Sequence, residues 1–177
     1  MPKPKPYPNF PPIRRVILGR DYSVWLEERT PGGEPGGVDI VVIKLPRISN
    51  YDDFDPLALE EGVSLRFVER PGDLGHPAVV ILPGSKTTLK DLAWLRSSGF
   101  DGLIAALALA GGSVVGVCGG YQMLGERIED PGSVESCRRE TEGLGLLPVT
   151  TVLGGGKSTH RVRAVVERAV PFMGLEP

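Results

Sequence analysis

Val114-Val-Gly-Val-Cys-Gly-Gly-Tyr-Gln-Met-Leu124 changes character at its fifth residue. Before Cys118 the run is apolar and rich in valine, the composition of a strand buried on both faces. After it come two glycines and then Tyr121 to Leu124, which read as the start of a helix. A strand that passes into a helix through a Gly-x-Cys-Gly-Gly turn places one side chain on a strained corner above a sheet. Small neighbours let the turn close and let another molecule approach the backbone. The corner also lies at the incoming helix's N-terminus, where partial positive charge favours a thiolate. The backbone N–H of Gly119 is left free to donate to an oxyanion.

Working outward, a second strand end resembles the first. Ala78 to Leu82 (AVVIL) is fully apolar and runs into Pro83-Gly84-Ser85, a sharp turn. Thr88-Leu-Lys-Asp91 follows in a helix-start capping pattern, with Leu89, Leu92, Ala93 and Leu95 at helical spacing. Phe100 to Ala110 is a second helical stretch, closed by Gly111-Gly112. Ser113 to Val117 is the strand that leads to Cys118. Upstream, Val38 to Leu45 and Ser64 to Val68 are further strands, with a short helix over Asp53 to Glu61 that carries Pro56 in its first turn. Strands and helices alternate at short spacing, so the predicted class is α/β with a mostly parallel sheet. Such sheets place their chemistry at the carboxyl ends of strands. Here those ends are Pro83-Gly84-Ser85 and Cys118.

The remaining sequence sets limits. Met1 to Pro12 is half proline, and Thr30 to Gly37 reads TPGGEPGG, so residues 1–37 are expected to be a linker and residues 38–177 the domain. Met1 to Pro12 has no apolar h-region, so it does not read as a secretory signal. A chain of 177 residues is expected to form one domain. A net charge of −2 argues against nucleic acid as the main partner. No apolar run is long enough to span a bilayer, and a cytoplasmic setting is expected. Two cysteines and two histidines leave little for a disulfide scaffold or a zinc site, and no metal ligands are assigned. Cys137 reads as an incidental loop thiol and His76 as a surface residue at the amino end of the Ala78 strand. Gly154-Gly-Gly-Lys157-Ser158 has the wrong spacing for a phosphate loop.

Gly116-Val-Cys118-Gly-Gly-Tyr-Gln122 resembles the nucleophile elbow of class I, triad-type glutamine amidotransferases. Leu45-Pro-Arg-Ile-Ser-Asn50, Asp53-Phe-Asp-Pro-Leu57, Ile81-Leu-Pro-Gly-Ser-Lys-Thr87, Asp91-Leu-Ala-Trp-Leu95 and Glu142-Gly-Leu-Gly-Leu-Leu147 are similar to the cobyric acid synthase group within that family. The resemblance implies a flavodoxin-like fold, with a mostly parallel sheet flanked by helices. It implies that Cys118 attacks the side-chain amide of glutamine and forms a γ-glutamyl thioester. The oxyanion would be held by backbone at Gly119 and at Gly84 or Ser85, and Gln122 would help bind glutamine. The ammonia released would pass to a separate synthetase domain, which uses ATP and Mg²⁺ to amidate corrin carboxylates in cobalamin biosynthesis. No cofactor is implied for this chain itself.

The family also supplies a histidine base from a later segment, because a thiol nucleophile needs a base within hydrogen-bond reach. Neither His76 nor His160 matches that segment, so the domain is expected to be incomplete at its C-terminus and weak or inactive alone. Two alternatives accompany this reading. One is a non-catalytic binding or regulatory domain that keeps the fold. The other is a free-standing glutaminase subunit that acts with a separate ligase.

Overall fold

Val38–Ile43, apolar but for Asp39, forms β1, in which Val41, Val42 and Ile43 are wholly removed from solvent. A computed structural model describes residues 37–136, 138–154, 161 and 163. The expected linker over residues 1–37 lies outside the described residues, apart from Gly37. After β1 the chain makes a single 3-10 turn, Asp52–Phe54, and a short helix α1, Asp55–Ala58, with Pro56 in its first turn. The next strands are β2 (Val63–Val68), β3 (Val79–Leu82) and β4 (Ser113–Gly116). All pair in parallel, in the order β2-β1-β3-β4. That order reproduces the first four positions of a flavodoxin-like sheet.

Between β3 and β4 lie α2 (Thr88–Ser98) and α3 (Phe100–Leu109). They meet at Gly99 with an 83° bend. Leu89, Leu92 and Leu95 of α2 are buried at the predicted helical spacing, whereas Ala93 is exposed. Trp94 packs on Phe100 with ring centroids 5.7 Å apart. These side chains join Ile43, Leu45, Leu82, Ile104 and Met123 in one core. Burying each large apolar side chain contributes about 1.5–3 kcal/mol. Across β1 and β2, Arg66 donates from Nε and Nη2 to the two oxygens of Asp39, both at 2.8 Å.

After β4 comes α4 (Gly119–Leu124), then a second sheet that the sequence pattern does not announce. It comprises β5 (Arg127–Glu129), β6 (Glu140–Glu142) and β7 (Thr150–Val152) in the order β6-β5-β7. Only Ile128 among these residues is fully buried, and three-residue strands are too short to display an alternating pattern. The charged stretch from Arg138 to Glu142, which as sequence reads as a solvated face, runs into β6. The sequence also predicts a strand over Arg161 to Val166; apart from Arg161 and Arg163 it lies outside the described residues.

Candidate active site

The register of the main sheet sets the site. Leu82 pairs with Gly116, so β3 and β4 end level and their following loops emerge side by side. The N–H of Val117 donates to the Leu82 carbonyl at 2.9 Å, which carries the pairing one residue further. Cys118 then takes φ 51° and ψ −112°, a left-handed conformation that costs a non-glycine residue about 1–3 kcal/mol. Local packing enforces it. The N–H groups of Gly120 and Gln122 donate to the carbonyls of Val117 and Cys118. A Cβ on Gly120 would collide with the Leu82 carbonyl oxygen and lie 2.8 Å from that of Pro83. A Cβ on Gly116 would lie 2.6 Å from the Tyr121 Cα. The helix can therefore sit on the strand ends only where both residues lack side chains. The thiol-bearing residue itself is exposed.

The facing loop is held from its other side. Ile48 bridges Ser85 in antiparallel fashion, with Ser49 N–H donating to Gly84 and Lys86 N–H donating to Arg47, both at 2.9 Å. In that arrangement Ile48 and Ser85 form the pair that exchanges no hydrogen bonds, so the Ser85 N–H points away from the 47–49 segment. It lies against Gly119, where a Cβ would stand 3.1 Å from it. Among the described residues, neither the Ser85 nor the Gly119 backbone N–H donates a hydrogen bond. Gly84 is equally close, since a Cβ there would meet the Ser49 hydroxyl and lie 3.7 Å from the Cys118 Cβ.

Gln122 is positioned by α2. Thr88 is buried, and its hydroxyl donates to Gln122 Oε1 at 3.2 Å. The capping pattern predicted at Thr88–Asp91 is thus put to other uses. The N-cap of α2 is Thr87, which makes no side-chain cap. Instead Glu135 accepts the Leu89 N–H at 3.0 Å from a loop far along the chain. Asp91 accepts the Ser85 hydroxyl at 2.6 Å. A carboxylate from outside and a hydroxyl from the preceding loop displace the local partners that the sequence offers.

Glu135 is itself held by Asp130. That buried carboxylate accepts the N–H groups of Val134, Glu135 and Ser136 at 2.6, 2.9 and 2.9 Å. Burial alone would raise its pKa, but the three backbone donors hold it below the usual carboxylate value. Asp91 goes the other way: burial pushes its carboxyl up, and Ser85 and Arg47 offset this only in part. The Glu142-Gly-Leu-Gly-Leu-Leu147 stretch closes the far end of α4, where Leu144, Leu146 and Leu147 donate backbone N–H groups to Met123 and Leu124 carbonyls.

The structure therefore brings Cys118, Gly84, Ser85, Gly119 and Gln122 together at the carboxyl edge of the sheet. It adds Ser49, Thr88 and Asp91, which sequence reading did not assign to the site. All three lie inside stretches quoted above, Thr88 and Asp91 as a capping pattern, whereas nothing near Glu135 signals its cap. His76 is exposed on the loop entering β3, at the amino edge opposite Cys118. His160 and Cys137 lie outside the described residues. Among the described residues no three His, Cys, Asp or Glu side chains converge as a metal centre, and no single helix is long and apolar enough to cross a membrane. An open hollow of ≈ 390 Å³ lined by Glu126, Arg127, Glu142 and Thr150 belongs to the second sheet and includes none of the elbow residues.

A parallel sheet in this order, with an exposed cysteine on a strained strand–helix corner, defines an α/β protein built like the class I glutamine amidotransferase domains. The chain belongs to the CobB/CobQ-like glutamine amidotransferase domain family, which matches residues 39–176. It is 53% identical to the cobyric acid synthase of Moorella thermoacetica over 158 residues, covering 89% of this chain and 31% of that protein. It is 50% identical to the cobyric acid synthase of Sorangium cellulosum over 157 residues, covering 87% of this chain and 30% of that protein. With that of Chloroflexus aggregans it shares 46% over 167 residues, 94% and 33% of the two chains. The chain thus spans about a third of the length of these relatives.

Proposed function

We propose that this chain is the glutaminase part of a cobyric acid synthase. Cys118 carries the reaction. Its thiolate attacks the side-chain amide carbon of glutamine, and the carbonyl π electrons move to oxygen. The Gly119 and Ser85 N–H groups stabilise that oxyanion, a type of contact worth about 10²–10³ in rate per donor. The oxyanion collapses, the C–N bond breaks, and the nitrogen leaves as ammonia after taking up a proton. The γ-glutamyl thioester left on Cys118 is cleaved by water to glutamate and free thiol. Gln122, steadied by Thr88, lines the glutamine side of the site.

The observation that supports this reading best is the strained Cys118 backbone beside two unpaired backbone donors. A corner costing free energy at an exposed cysteine is what a poised nucleophile requires. The ammonia is passed to a synthetase part that uses ATP and Mg²⁺ to amidate corrin carboxylates, in the cytoplasm. The steps above at Cys118 use neither ATP nor Mg²⁺.

Among the described residues no histidine reaches Cys118. Loss of a general base costs about 10²–10⁴ in rate. The chain alone is therefore expected to release glutamate slowly, and Cys118→Ser to abolish the release. The test is glutamate release from glutamine by the 177-residue chain and by Cys118→Ser. Equal release by both would overturn the assignment. The second reading is a domain that keeps the fold without turnover. No glutamate release by the unaltered chain, with glutamine binding intact, would favour it.

A further inference from the structure

Asp91 is a charged residue in a place that does not need one. It lies in the first turn of α2 and is wholly buried, as are Leu89, Leu92 and Leu95 of the same helix. Its Oδ2 accepts the Ser85 hydroxyl at 2.6 Å. Among the described residues its Oδ1 has no close hydrogen-bond partner; Arg47 offers it only a weak backbone N–H and the guanidinium Nη1 at 3.9 Å. The Thr87 hydroxyl one turn away is also buried and, among the described residues, without a hydrogen-bond partner. A half-satisfied buried carboxylate costs stability, so packing does not explain it.

The Ser85 hydroxyl offers a better explanation. It has one proton, which goes to Asp91, and its oxygen accepts the Thr87 N–H at 3.0 Å. With both functions committed, the side chain holds residues 85–87 in a closed turn against α2. The Ser85 backbone N–H is then the group of that residue left to face Gly119. Asp91 also lies beneath Arg47, on the segment that bridges Ser85 from the other side.

We propose that Asp91 is a positioning residue: through the Ser85 hydroxyl it fixes the 84–86 loop so that the Ser85 N–H is aimed beside Cys118. The functional half of this inference rests on the glutaminase reading, whereas the structural half does not. A loop displaced by about 1 Å can cost 10²-fold in an oriented reaction.

Two readouts on the full chain separate the halves. The first is amide hydrogen exchange at Thr87, with the β3 amides as an internal check that the fold is intact. Asp91→Ala and Ser85→Ala are expected to speed exchange at Thr87 at least about tenfold. Asp91→Asn, which keeps an acceptor for the hydroxyl, is expected to leave it near wild type. The second is the rate at which a diazo-ketone analogue of glutamine modifies Cys118, compared with iodoacetamide. Asp91→Ala is expected to slow the analogue about 10–100-fold and leave iodoacetamide unchanged, with Asp91→Asn restoring most of the rate. If Asp91→Ala does not fold, Ser85→Ala carries both readouts. Wild-type exchange at Thr87 in the alanine variants overturns the proposal. So does wild-type analogue labelling in those variants. A wild-type chain that resists the analogue altogether overturns the glutaminase reading instead, and the exchange result still decides whether Asp91 holds the loop.

Discussion

Gly120 stands against Leu82 so closely that any side chain on it would strike the Leu82 carbonyl oxygen and lie 2.6 Å from the carbonyl carbon. Both struck atoms are backbone at the end of β3, so neither can move aside without disturbing the sheet. The contact seats α4 on the strand ends and leaves Cys118 no relaxed conformation.

Gly120→Ala is therefore expected to destabilise the chain by about 1–3 kcal/mol, the usual cost of overpacking a closed site. It should also relax Cys118 and slow its reaction with the glutamine analogue. Gly102→Ala is the control: it lies on an exposed face of α3 with nothing within 4 Å of the new Cβ. There alanine should stabilise by about 0.5–1 kcal/mol through helix propensity and chain entropy. Urea unfolding of both variants checks the pair.

Glu135 caps α2 from 46 residues away, and Asp130 holds Glu135 in place. Glu135→Ala should cost about 0.5–2 kcal/mol, the range for a lost helix cap. Asp130→Asn should also destabilise, because an amide cannot accept all three backbone donors. The two effects should not add, since releasing the loop already removes the cap. A double-mutant cycle on unfolding free energies tests this, and strict additivity would show that the loop and the cap are independent.

Asp91 and Asp130 should shape the acid limb of stability in opposite senses. The Asp130 carboxyl titrates lower in the folded chain than in the unfolded one. Its contribution is present above the ordinary carboxylate value and fades as pH falls through the folded value. The Asp91 carboxyl titrates higher in the folded chain. Its contribution is complete below the ordinary value and is lost as pH rises through the folded one. Asp130→Asn should thus hurt most near neutral pH and least in strong acid. Asp91→Asn should gain on wild type as pH rises from about 4 toward neutrality. Unfolding midpoints across that range read both trends.

Thr88→Val keeps the shape of a buried side chain and removes the donor to Gln122. A stability cost of about 0.5–1.5 kcal/mol is expected, as for one hydrogen bond. A larger effect should appear in glutamine affinity, with iodoacetamide reactivity at Cys118 unchanged. Equal weakening of glutamine binding and of stability would place Thr88 in the core alone.

The sheet was legible because its two central strands are largely apolar. Val79–Leu82 carries no polar residue and Val38–Ile43 carries only Asp39, and a proline follows each within three residues, Pro83 and Pro46. Cys118 was legible because its glycine neighbours have no structural use except a tight turn. The second sheet was not, because Arg-Ile-Glu, Glu-Thr-Glu and Thr-Thr-Val carry charge or hydroxyl at most positions. Their pairing is decided by Ile128 and by backbone partners, not by pattern. The misassigned cap at Thr88 shows the limit of local reading. Its hydroxyl was within reach of its own helix, yet Gln122, 34 residues on, is its partner. Ser49 faces Gly84 for the same reason, since only the antiparallel bridge at Ile48 and Ser85 brings the two loops together.

The central claim is that Cys118 attacks glutamine. Mass spectrometry of the chain after exposure to a diazo-ketone glutamine analogue, with and without excess glutamine, addresses it most directly. The account predicts one adduct, on Cys118, that glutamine suppresses and that Cys118→Ser eliminates. An adduct that glutamine does not suppress, or one carried by Cys137 while Cys118 stays free, would contradict it.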